Sequence, residues 1–129
     1  MSVPEDLGYT ASHQWVRRES DGNVSIGITD HAQEQLGDVV FVDNPVPGRK
    51  LQQGEACAVI ESVKAASDIP APVAGEVVAA NAALSDVPEQ VNQDPYAAWL
   101  FRLKPDNPAD LDGLLDAAAY RKIADAESV

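Results

Sequence analysis

Short apolar segments, recurring every eight to twelve residues and separated by turn signals, restrict this chain to a mainly β fold, a sandwich or a barrel. Val24-Ser25-Ile26-Gly27-Ile28 alternates with period two behind the turn signal Ser20-Asp21-Gly22-Asn23. A short strand is expected between Tyr9 and Val16. Val39-Val40-Phe41-Val42 is continuously apolar and is expected to be buried on both faces. A short segment around Leu51, then Glu55 to Ser62, Asp68 to Ala71, Val77 to Asn81 and Trp99 to Leu103 complete the strand candidates, the last by its alternation. Between strands, Thr29 and Asp30 can cap a short helix running to about Leu36. Gly37 follows it where a helix end favours positive φ.

The chain then changes character. Asn107-Pro108 is a helix start, and Leu111, Leu114 and Leu115 form one apolar face after it. Asp116 can cap a further helix over 117–126, with Tyr120 and Ile123 turned inward. The expected organisation is a single domain over 1–129, with a β core at 7–104 and C-terminal helices at 108–126. At 129 residues the chain can bury a modest core.

Charge narrows the partners. A formal net charge of −12 argues against nucleic acid and anionic membranes, and fits docking to basic protein surfaces. No apolar run approaches a membrane span, and residues 1–8 lack the pattern of a targeting peptide. The one cysteine, Cys57, excludes an internal disulfide and fits a reducing compartment. Placed in a strand, it reads as a small buried side chain rather than a reactive thiol. His13 and His31 have no ligand residues beside them in sequence, so no metal site is expected, and His31 is read as capping or solvating the helix start. Trp15 and Trp99 are read as packing residues.

The most informative single residue is Lys64. It lies in Glu61-Ser62-Val63-Lys64-Ala65-Ala66-Ser67-Asp68, between a β-rich stretch and the proline-containing run Ile69-Pro70-Ala71-Pro72. Prolines there suit only an edge strand or a bend. The lysine is therefore expected at an exposed turn on rigid support, as a covalent attachment point requires.

Those residues, with Ala71-Pro72-Val73 and Gly75-Glu76-Val77 after them, resemble the lipoyl attachment region of the glycine cleavage system H protein family. The resemblance extends in order through Ser12-His13-x-Trp15-Val16, Gly27 to Gln33, Leu36 to Val42, Leu84-Ser85-Asp86, Val91-Asn92, Pro95-Tyr96 and Leu114-Leu115-Asp116-Ala117-x-Ala119-Tyr120. It implies a barrel-sandwich hybrid of the lipoyl/biotinyl type. It implies a non-catalytic carrier with lipoate in amide linkage to Lys64. Methylamine from glycine would be loaded by a pyridoxal-phosphate glycine decarboxylase (P-protein) and taken by an aminomethyltransferase (T-protein). Dihydrolipoamide dehydrogenase (L-protein) would reoxidise the arm, and a lipoate ligase or octanoyltransferase would install it. Glu61, Ser62, Val63, Ala65 and Asp68 would be read around the lysine, and Ser12, Gln14, Gln35 and Asp68 would form the cleft that shelters the loaded arm.

Gln14 departs from the family's usual Glu, and Gln35 replaces the His of some members. An amide can hydrogen-bond an amine but offers it no charge. Tyr96-Ala97-Ala98-Trp99 also lacks a glycine usual before the Trp. These departures leave room for a lipoate depot that relays lipoyl groups without supporting glycine oxidation. A biotin carrier domain shares the fold, but Val63 and Ala65 stand where it usually has Met. The lack of a targeting pattern favours a bacterial cytoplasm, with a processed mitochondrial chain as the alternative, and a small carrier that must present its tip is expected to be a monomer.

Overall fold

The computed structural model describes residues 2–127. Nine strands form two antiparallel sheets. They are β1 (Gly8–Tyr9), β2 (Gln14–Arg18), β3 (Val24–Ile28), β4 (Val39–Asp43), β5 (Lys50–Leu51), β6 (Ala56–Ser62), β7 (Ala66–Pro70), β8 (Gly75–Ala80) and β9 (Phe101–Pro105). The larger sheet runs β1-β2-β3-β9-β8-β5, and the smaller runs β4-β6-β7. Four helices join them: α1 (Asp30–Leu36), α2 (Ala83–Asp86), α3 (Gln90–Gln93) and α4 (Ala117–Glu127).

One core cluster takes Val24, Ile26, Ile28, Val77, Phe101 and Leu103 from the larger sheet and Val39, Val42, Ile60 and Ile69 from the smaller, so it glues the two sheets together. A second takes Tyr9 and Trp15 from β1 and β2 and Ala117, Tyr120 and Ala124 from α4. The Tyr9 and Tyr120 rings stack at 4.8 Å, an arrangement that contributes about 0.5–1.5 kcal/mol beyond simple burial. Trp15 pairs with Gly27 across β2 and β3, and its ring occupies the space a side chain at Gly27 would need.

Several elements differ from expectation for physical reasons. All five residues of β3 are buried, including the polar Ser25. The outer side of Ser25 is covered by a group in which Ser25 donates to Glu19 and accepts from Arg102 Nε, both at 2.9 Å, with Arg102 lying over the Trp99 ring. Val40 and Phe41 are not buried: they are 53 % and 48 % exposed. β4 is an edge strand, and a bulge between Val39 and Phe41 turns both side chains outward. Trp99 precedes the last strand rather than opening it. The segment after Asn107 is a 3-10 helix, Pro108–Gly113, capped by the Asn107 side chain. It stops too soon for a stable α-helix, so only Leu111 of its three leucines is helical and buried, while Leu114 and Leu115 are extended. Leu115 instead bridges to Tyr9 through reciprocal backbone bonds of 2.8 Å. α4 begins as expected, with Asp116 accepting from the Ala119 amide at 2.8 Å. Tyr120 is fully buried and Ile123 only half-buried.

Candidate functional site: the Lys64 turn and its cleft

The β6–β7 hairpin carries Lys64 at its tip. Ser62 closes the turn by donating its amide to the Ala65 carbonyl at 2.8 Å. Its hydroxyl oxygen accepts from the Lys64 and Ala65 amides at 3.2 and 3.1 Å. This is the local bonding for which serine is favoured at the first position of a turn. The Val63 amide donates to Asp38 at 3.0 Å, tying the tip to the α1–β4 connection. The lysine backbone is thus held on two sides while its side chain is exposed.

The stem of Lys64 lies against Gly37. A Cβ added at Gly37 would sit 2.9 Å from Lys64 Cε. Gly37 has φ 79° and ψ −158°, a conformation nearly exclusive to glycine. It ends α1, whose start is capped by Thr29 accepting from Ala32. Asn92 locks this corner: it accepts from the Val39 amide at 2.8 Å and donates to the Gly37 carbonyl at 2.8 Å and to Gln33 at 3.0 Å. Beside the lysine, Val40 and Val63 (68 % exposed) make the immediate surface apolar, and Glu61 adds a charge.

A cavity of about 180 Å³ lies along the strand leaving the lysine. Ser67, Asp68 and Ile69 of β7 form one wall, Ala32, Gln35 and Leu36 of α1 another, and Ser12, His13 and Ile28 the floor and end. Asp68 lies in β7, four residues from Lys64, so at most roughly 13 Å of chain separates them. Three residues picked from the sequence, Ser12, Gln35 and Asp68, therefore share one cavity with the lysine hairpin. Gln14 is placed differently. It is 1 % exposed, behind Ser12, and does not line the cavity. Its amide donates to the Pro70 carbonyl and accepts from Thr10 at 3.1 Å and Ser12 at 3.2 Å. The Pro70 carbonyl needs a donor opposite it, which a glutamine supplies and an ionised glutamate would not. A roomier hollow of about 350 Å³, between Glu5–Gly8 and Leu111–Asp116, shares none of the turn's residues.

The histidines are not where the sequence suggested. His31 is buried at 4 % exposure and caps nothing; the cap is Thr29. The fold brings the His13 and His31 rings to 4.8 Å and adds Glu127 from the end of α4, so each histidine has ligand-type neighbours after all. His13 is the one non-glycine residue with positive φ among the described residues, at 66°. Burial pulls its imidazole below the ordinary range, more than the adjacent Glu127 carboxylate offsets. Cys57 is buried and donates to the Ile69 carbonyl, and burial pushes its thiol up to about 11. Among the described residues, no helix is long and apolar enough to cross a membrane.

Comparisons with known proteins agree with this geometry. The family model "Glycine cleavage H-protein" matches residues 7–127. The chain is 64 % identical over 128 residues to the glycine cleavage system H protein of Thiobacillus denitrificans, covering 99 % of each. It is 58 % identical over 126 residues to glycine cleavage system H protein 2 of Pseudomonas aeruginosa, covering 98 % of each. The crystal structure of a glycine cleavage system H protein from Mycobacterium marinum superposes with a TM-score of 0.85 at 38 % identity, over 98 % of this chain and 100 % of that one. Its lipoyl-type barrel-sandwich is the architecture seen here. From the lysine hairpin outward to the full length of the fold, this chain belongs to the glycine cleavage H-protein family.

Proposed function

We propose that this protein is the lipoyl carrier of a glycine cleavage system, with lipoate in amide linkage to Lys64. It would take a methylamine group from the P-protein, deliver it to the T-protein and be reoxidised by the L-protein. The observation that carries this reading is the placement of an exposed lysine on a doubly anchored hairpin whose outgoing strand walls a cavity holding Ser12, Gln35 and Asp68, in a chain of this family.

The residues fit the group. Amide formation removes the lysine charge, and lipoate then supplies a disulfide that opens to a dithiol for group transfer. Everything else is positioning. The Ser62 and Val63 bonds hold the attachment point still, so a modifying enzyme meets one conformation. The apolar surface of Val40 and Val63 gives partners something to bury, with Glu61 and Asp68 marking register. An amine carried into the cavity would meet the Asp68 carboxylate, the Ser12 hydroxyl and the Gln35 amide. Tethering raises the effective concentration of the cargo at each successive enzyme. The carrier itself supplies no acid, base or nucleophile, and it would work in the cytoplasm of a bacterium beside those enzymes.

The test is the intact mass after incubation with lipoate, ATP and a lipoate ligase, beside Lys64→Arg. A lipoyl increment on the parent chain and none on the variant is expected. A folded parent that gains no mass would overturn the reading. A glycine-dependent assay with P-protein then separates shuttling from simple lipoyl relay.

A further inference from the structure

We propose that His13, His31 and Glu127 form a binding site for a divalent metal ion of the zinc class. The three residues lie far apart in sequence, on the turn before β2, in the first turn of α1 and in the last turn of α4. Their ligand atoms nevertheless lie within 4.8 Å of one another. Glu127 Oε2 is 2.6 Å from His13 Nε2 and 3.9 Å from His31 Nε2. Donors on a tetrahedral zinc ion, at bonds of about 2.0–2.2 Å, sit roughly 3.3 Å apart. These two separations bracket that spacing, and the histidine donors, within 4.8 Å of each other, would close slightly on the ion. Glu127, with its side chain 46 % exposed, can move to equalise them.

The second observation is His31 itself. Its Nε2 is buried and has no hydrogen-bond partner among the described residues. It faces a carboxylate too far away to accept from it. Leaving such an atom unsatisfied is costly, and a metal ion between the ring and the carboxylate removes the cost.

The supporting shell is also built. His13 Nδ1 is 2.8 Å from the Tyr120 hydroxyl, and that hydroxyl is 2.6 Å from Thr29 Oγ1. With Tyr120 donating to Thr29 and accepting from Nδ1–H, the Nε2 lone pair of His13 is directed at Glu127. Two acceptors then face each other at 2.6 Å and repel unless a proton or a metal ion joins them; a metal ion would need the carboxylate to swing back toward the tetrahedral spacing. Metal-bound histidines are commonly oriented in this way through their other nitrogen. With the opposite proton order, His13 donates to Glu127 and is satisfied, but His31 is not. A shared metal ion satisfies both rings at once. Two imidazoles and one carboxylate suit zinc and its first-row neighbours, and disfavour magnesium and calcium. Three protein ligands leave a fourth position for water. The ion would link α4 to α1 and to the turn that bears His13.

The test uses the full-length protein, freed of metal by chelation and titrated with zinc chloride, with magnesium chloride as control. Isothermal titration should show one equivalent bound, and thermal unfolding should shift up with zinc but not with magnesium. Glu127→Gln and His13→Asn should each weaken binding at least tenfold; asparagine tolerates the positive φ of His13. Cobalt(II) should give the absorption of a low-coordinate ion in the parent only. Unfolding in chelator checks that both variants fold, and if His13→Asn does not, the half-exposed Glu127→Gln decides alone. Absence of one-equivalent zinc binding to the parent overturns the proposal, as does equal binding by the folded variants.

Discussion

Replacing Gly37 by alanine tests whether the corner under the lysine is held by backbone conformation or by contact. Two effects compete. The added Cβ would come within 2.9 Å of Lys64 Cε, but that atom is near the free end of a flexible side chain and swings away at little cost. The backbone cannot do the same. Gly37 donates its amide to the Gln33 carbonyl at 3.0 Å and accepts from Asn92 at 2.8 Å, so both of its polar groups are pinned. Holding alanine at φ 79°, ψ −158° costs about 1–3 kcal/mol. A central value near 2 kcal/mol lowers the Tm of a chain this size by roughly 6–10 °C. Urea unfolding of parent and variant measures the cost directly. Gly113→Ala is the control, because Gly113 has neither positive φ nor any atom within 4 Å of an added Cβ; it should be neutral or slightly stabilising. A Gly37→Ala loss under about 0.5 kcal/mol, indistinguishable from that control, would refute the argument that this conformation demands glycine. Because the lysine stem must also move, the variant should be lipoylated more slowly than the parent under limiting ligase.

Three further outcomes follow from the packing and charge described. Gly27→Ala would drive a Cβ to 2.4 Å from the fully buried Trp15 ring, so it should cost about 2–3 kcal/mol in urea unfolding and weaken near-ultraviolet dichroism. Asn92→Ala strands the Val39 amide and the Gly37 carbonyl together and should cost about 2–3 kcal/mol, with hydrogen exchange at Val39 accelerating most. Stability should fall as pH rises above 9: burial raises the folded-state Cys57 thiol from 9.0 to about 11, so the unfolded chain loses its proton first. Tyr120, raised by burial to about 12, extends that loss to higher pH. Urea midpoints should therefore decline between pH 9 and 11 in the parent and decline less in Cys57→Ser, while Cys57 should resist alkylation at pH 8 until urea is added.

What the sequence revealed was whatever is written in adjacent residues. The Thr29 cap, the positive φ of Gly37, the Asp116 cap and the lysine turn all depend on neighbours within a few positions. What it concealed depends on registers that only the closed fold creates. The apolar run Val39–Val42 carries no mark of the bulge that exposes Val40 and Phe41. Gln14 read as a residue facing the arm, and its burial follows from a Pro70 carbonyl supplied by a strand far along the chain. Likewise the histidines meet Glu127 only because α4 packs its Tyr120 onto β1. The one legible hint at that meeting was that Tyr120 had to be inward, which fixes which way the end of the helix points.

The lysine hairpin also has a free flank. β7 is an edge strand: among the described residues no strand pairs beyond it, although its Pro70 carbonyl is already taken by Gln14. Such edges invite pairing with a second copy of the same chain. Here the edge carries its own deterrents: Pro70 has no amide to donate, Asp68 places an exposed charge at mid-strand, and two copies each of net charge −12 repel before they meet. The same strand can therefore stay unpaired beside Lys64 without becoming a seed for fibrous self-association. For the carrier proposed above, that reluctance to stick to itself would leave the lysine turn free to pass from one enzyme to the next.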